Sequence, residues 1–137
     1  MRRYLLDSNA VNAFVNRHAP FSQQARKALA LGDVVGTCEP VVAEVLYGIE
    51  LSATRDENLK LLHDGLREIR TWPFDRAAAK EYGRIAADLK RRGRPMQIIY
   101  MMLAAVALRL PKCTVVTTDS DLSAIPGLTV VDWTIAP

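Results

Sequence analysis

The sequence predicts an α/β fold: a central parallel twisted sheet of four to five strands, flanked by helices. Three observations lead there. Short apolar runs of strand length recur along the chain, helical spacings lie between them, and acids follow directly where two of the runs stop. At 137 residues the chain suits one well-buried domain spanning 1–137. Half of its residues are hydrophobic and 24% are charged, a globular balance that excludes a disordered chain.

The strands are predicted at Arg3–Leu6, Val34–Thr37, Ile69–Trp72, Thr114–Thr117 and Thr129–Val131. The run from Ala10 to Val15 reads as the start of a helix. After Asp56, residues Leu59, Leu62, Leu66 and Ile69 recur at the three-and-four spacing of one helix face. Ala78, Tyr82, Ile85 and Leu89 repeat that spacing after Asp75, a suitable N-cap, and Gly93 and Pro95 end the helix. Ile98 to Leu110 is apolar all round, as a helix packed deep against a sheet would be. No repeat or linker-like stretch divides the chain.

The longest apolar run, Ile98 to Leu108, falls short of the roughly 20 residues that a bilayer span needs. Asp7 interrupts the first apolar stretch too early for a signal peptide. Cys38 and Cys113, the only cysteines, stand beside apolar strands and suit a reducing compartment rather than a disulfide scaffold. These features predict a cytoplasmic, soluble protein. The net charge of +3 permits a polyanionic partner without requiring one.

Chemistry in parallel α/β sheets collects beyond the carboxyl ends of the strands. Asp7 follows Tyr4-Leu5-Leu6, and Asp119 follows Thr114-Val115-Val116-Thr117 across Thr118. Glu44, just after the second strand, shares a helix face with Val41 and Gly48 and so faces inward or sideways. An unpaired carboxylate there would cost several kcal/mol or else take up a proton. A hard divalent cation resolves that conflict, because Mg²⁺ and Mn²⁺ take carboxylate oxygens and water. Such a site polarises a phosphate and makes a nucleophile of bound water, which points to phosphodiester hydrolysis.

Each acid also has a simpler use. Asp7 and Asp119 suit the N-cap of the helix or turn that follows, and Ser8 and Asn9 can cap as well as touch a metal-bound water. Glu44 can pair with an arginine, and Asp121 reads as a turn residue. The coincidence of three acids on one edge favours a shared site. Lys90-Arg91-Arg92-Gly93-Arg94 offers Arg91, Arg92 and Arg94 to an RNA backbone, while cations at a helix C-terminus also complement its dipole.

The ordered set Leu5-Leu6-Asp7-Ser8-Asn9, Val42-Ala43-Glu44-Val45-Leu46-Tyr47-Gly48-Ile49, Gly93-Arg94-Pro95, Met101 to Leu108, and Val115-Val116-Thr117-Thr118-Asp119 resembles the PIN-domain ribonucleases, specifically VapC toxins. The ending Ile125-Pro126-Gly127-Leu128 through Val131-Asp132-Trp133 resembles them too, so the likeness spans the chain. It implies a three-layer PIN-like domain and a metal-dependent endoribonuclease holding Mg²⁺ or Mn²⁺ on Asp7, Glu44 and Asp119. It also implies a homodimer and a cognate VapB-type antitoxin that blocks the active site and supplies the only contact with DNA.

One position departs from the family. Where VapC proteins have an aspartate at the start of the long apolar helix, Tyr100 stands in Ile98-Ile99-Tyr100-Met101-Met102. A phenol with an ordinary pKa near 10 supplies no anionic oxygen at neutral pH. The substitution predicts weakened metal binding and reduced activity, although a core aromatic in an apolar helix would look the same. Two rival classes follow: a toxin-like module that binds antitoxin or RNA without catalysis, and a phosphoacceptor domain using Asp7. The second lacks the paired acid of an Asp-x-Asp motif, because Asn9 occupies that place.

Overall fold

Five parallel strands, in the order β3-β2-β1-β4-β5, form one sheet, and six helices cover it in a three-layer arrangement. The structure is a computed structural model, and it describes residues 1–135. The strands are β1 (Arg3–Leu6), β2 (Val34–Cys38), β3 (Arg70–Trp72), β4 (Cys113–Val116) and β5 (Thr129–Val131). The helices are α1 (Ser8–Val15), α2 (Phe21–Ala30), α3 (Glu39–Leu51), α4 (Arg55–Leu66), α5 (Arg76–Arg91) and α6 (Ile98–Arg109).

β1 lies in the middle, pairing Leu5 with Gly36 on one side and with Val115 on the other. Leu5, Leu6 and Val115 are fully buried, as strands covered on both faces must be. Every predicted strand is present, with ends moved by one residue: β2 runs on to Cys38, β3 begins at Arg70, and β4 spans Cys113–Val116. Ile69 therefore belongs to neither α4 nor β3, although it packs against the core.

Local chemistry fixes the helix ends. Asp7 and Asp75 cap α1 and α5, accepting from Ala10 N at 2.8 Å and Ala78 N at 2.9 Å. Gly93, at φ +67°, closes α5 in the left-handed conformation that glycine adopts without strain. α6 packs along α5 and buries Met101 and the run Leu103–Ala107, while its first residue, Ile98, stays exposed. α2 lies in a stretch for which the sequence suggested no element. Its buried stripe is only Phe21, Ala25 and Ala28, and two alanines give a faint hydrophobic period. Trp133 holds the last segment down, its ring 4.9 Å from Tyr4 and 5.5 Å from Phe21 between centroids.

Candidate active site

The chain builds β1, β2 and β3 outward in one direction and then crosses back to lay β4 on the other side of β1. That reversal opens a crevice at the carboxyl ends of β1 and β4, where open α/β sheets bind ligands. Asp7 leaves β1 there, and Thr117-Thr118-Asp119 leaves β4.

Asp7 is buried, only 3% exposed. Its backbone N–H donates to Val116 O at 3.2 Å, continuing the β1–β4 ladder. Its Oδ1 accepts from Ala10 N, and its carboxylate also takes a hydrogen bond from Thr117. Burial pushes its pKa above the ordinary value, the hydrogen bonds from Thr117 and Ala10 oppose that rise, and the charges of Asp119 and Glu44 add to it. Thr117, itself buried, accepts from Asp119 N at 3.0 Å through the same hydroxyl. One side chain thus fastens both aspartates.

Asp119 is half-buried and caps the 3-10 turn Ser120–Ala124, accepting from Asp121 N at 2.8 Å. Glu44 projects from the second turn of α3, and its Oε1 accepts a hydrogen bond from the Ser8 hydroxyl. Tyr100 stands in the first turn of α6 with its phenol against Asp119. Burial pushes that phenol up to about 12, helped by the hydrogen bond to Asp119 and by the charges of Asp119, Asp7 and Glu44. These mutual effects place Asp7, Glu44, Asp119 and Tyr100 in one electrostatic neighbourhood. Both predicted caps also exist, so capping and clustering occur together.

The donors are all oxygen, which suits a hard divalent cation. Their arrangement is tighter on protein partners than on a central ion. Among the described residues, no three His, Cys, Asp or Glu side chains stand together closely enough to hold a metal. Ser8 engages Glu44 and Tyr100 engages Asp119, so gathering the acids on an ion means exchanging those two contacts.

The sequence reading missed Thr117 as a site residue and missed Asp132. Asp132 follows β5 and lines a small cavity of about 40 Å³ with Asp7, Thr117 and Thr118. A signal was present, since Asp132 also follows a short apolar strand. The three arginines part company. Arg91 and Arg94 are exposed, whereas Arg92 binds Asp88 at 3.0 Å and the Ala124 carbonyl oxygen at 3.0 Å. Arg92 therefore clips the end of α5 to the loop after β4. Ser8 and Asn9 line a cleft of about 390 Å³ between α1, α3 and α4. Among the described residues, no helix is long and apolar enough to cross a membrane.

A parallel sheet of this order with acids at its switch point defines a class, and the PIN domain family model matches residues 4–128. The chain belongs to the PIN-domain family, within which its relatives are VapC proteins. It is 29% identical over 133 residues to the tRNA(fMet)-specific endonuclease VapC of Shigella flexneri, covering 97% of this chain and 99% of that protein. It is 32% identical over 104 residues to Ribonuclease VapC5 of Mycobacterium tuberculosis, covering 73% and 75%. The fold matches the crystal structure of VapBC2 from Rickettsia felis bound to a promoter DNA fragment, with a TM-score of 0.86 at 23% identity over 96% of this chain and 98% of that one.

Proposed function

We propose that this chain is the toxin of a type II toxin–antitoxin pair, an endoribonuclease that hydrolyses RNA phosphodiesters using Mg²⁺ or Mn²⁺. What supports the reading is the electrostatic influence that Asp119 and Glu44, from distant segments, exert on Asp7 beside the sheet's switch point. The VapC relatives support it, since both of those compared above are named as RNA-cutting enzymes. The protein works in the cytoplasm as a homodimer, and a VapB-type antitoxin restrains it and carries any contact with DNA.

In this reading Asp7, Glu44 and Asp119 would hold the cation, which would supply Lewis-acid polarisation of a phosphate and activation of water. The chain's own residues do the rest. Ala10 N–H and Thr117 fix the orientation of Asp7, so its carboxylate needs little reorganisation. Ser8 steadies Glu44, and Asn9 stands beside it to meet substrate. Arg91 and Arg94 grip the RNA backbone, while Arg92 acts through the loop that carries Asp119. Tyr100 removes one anionic ligand from the family set and occupies Asp119 with its hydroxyl, so activity is low.

The test is cleavage of a fluorescent RNA across a range of Mg²⁺ and Mn²⁺ concentrations. Slow, metal-dependent cleavage is expected, lost in Asp7→Ala and raised at least about tenfold in Tyr100→Asp, the scale on which metal-site neighbours act. Metal-independent cleavage, or cleavage that survives Asp7→Ala, would overturn the reading. The contact between Tyr100 and Asp119 favours a second reading, a toxin-like module that binds antitoxin or RNA without cutting. That reading stands if neither the present chain nor Tyr100→Asp cuts RNA.

A further inference from the structure

The cleft between α1, α3 and α4 is continuous with the carboxylate site, since Ser8 and Glu44 belong to both. From that end it runs along α1, where Asn9, Asn12 and Asn16 fall on one helix face, and Asn58 of α4 lines it as well. Val45, Ile49 and Leu62 supply apolar wall. Its volume of about 390 Å³ is that of a small-molecule pocket. We propose that this cleft holds one unpaired RNA base beside the scissile phosphate and reads its edge through asparagine amides; the proposal rests on the ribonuclease reading above.

The chemistry selects a base over other occupants. A carboxamide offers both a donor and an acceptor, the combination that base edges require, and apolar wall suits the base face. The lining contains no lysine or arginine and includes Glu44, so it would repel a phosphate. An apolar protein helix is a poorer fit, because it would bury several carboxamides without partners. Asn58 is already oriented: its Nδ2 donates to Ser52 Oγ at 3.2 Å and to Thr54 Oγ1 at 3.1 Å, which leaves its oxygen to accept. Gly48 leaves the wall open, for a Cβ there would meet nothing within 4 Å.

That opening supplies the test. Gly48→Leu extends into the cleft one turn along α3 from Glu44 and replaces a mid-helix glycine with a better helix former, so the fold should hold. Fluorescence anisotropy without divalent metal would follow the full chain binding single-stranded decamers of A, C and U. The expected result is unequal affinities, at least about fivefold between best and worst base. Gly48→Leu and Asn12→Ala should bring the decamers within twofold of one another. Equal affinities in the unaltered chain, or ratios unchanged in Gly48→Leu, would overturn the base pocket alone and assign the cleft to another occupant, a protein helix included. Failure to bind any decamer would likewise overturn the base pocket, while the ribonuclease reading stands or falls on the metal-dependent cleavage described above.

Discussion

Thr117 joins two aspartates through one hydroxyl, and the state of Asp7 follows from how deeply that arrangement is buried. Burial raises the pKa of Asp7, so the folded chain binds that proton more tightly than the unfolded chain does. Stability therefore falls as pH rises from the ordinary value of 3.8 through the raised one, and the full penalty is present at neutral pH. Asp7→Asn removes the penalty and keeps a side chain able to cap α1. Its melting temperature at pH 7 should rise, by about 2–4 °C if the gain is near 1 kcal/mol. The gain should vanish below pH 3.8, where both states are protonated; an equal gain at pH 3 would show that burial of charge is not its cause. Asp7 and Asp119 stood out as candidates because acids soon after apolar strands are conspicuous, and Glu44 because it sits among apolar neighbours. Capping and ligation looked like rivals in the sequence, but a carboxylate has two oxygens, and Asp7 gives one to Ala10 while still facing the other acids. Thr117 was hidden because a threonine at a strand end is ordinary, and only its buried position gives it two partners.

At the scale of elements, β2 and β3 meet where Gly36 of one pairs with Arg70 of the other and lies under the Trp72 ring. A Cβ at Gly36 would fall 2.7 Å from the Arg70 carbonyl oxygen and 2.7 Å from Trp72 Cζ3. Backbone cannot yield as a flexible side chain can, so Gly36→Ala should lower stability by about 1–3 kcal/mol. A shifted urea midpoint with an unchanged slope would register the loss, and an unshifted midpoint would mean that β3 moves aside freely. The strands were readable because each is short, apolar and bounded. Their ends were not, since Cys38 and Cys113 pair in the sheet although neither carries a strong strand signal. α2 escaped notice for a similar reason: alanines fill the space under it, and packing rather than hydrophobic period sustains it.

Over the whole molecule, the modest charge of +3 hides an uneven layout. Asp7 and Asp119 lie at the switch point, while exposed Arg91 ends α5 and exposed Arg94 follows it. Backbone contacts by those two arginines would make RNA binding salt-sensitive. Alanine at both positions should reduce the slope of log affinity against log salt by about 1.4, at roughly 0.7 per contact with a single strand. An unchanged slope would place the RNA elsewhere. Overall architecture was the most legible level, because alternation of strand and helix leaves few ways to close a sheet, and crossover rules remove most of those.

The pairing of β1 with β4 brings together parts of the chain made at very different times. Asp7 emerges from the ribosome early and Asp119 late, with five helices and two strands synthesised between α1 and β4. A partly synthesised chain therefore holds one acid without the other, and whatever reaction the pair performs must wait until the late strand docks. For the RNA-cutting toxin proposed above, that order of synthesis would leave unfinished copies without a complete site beside the very RNA that encodes them.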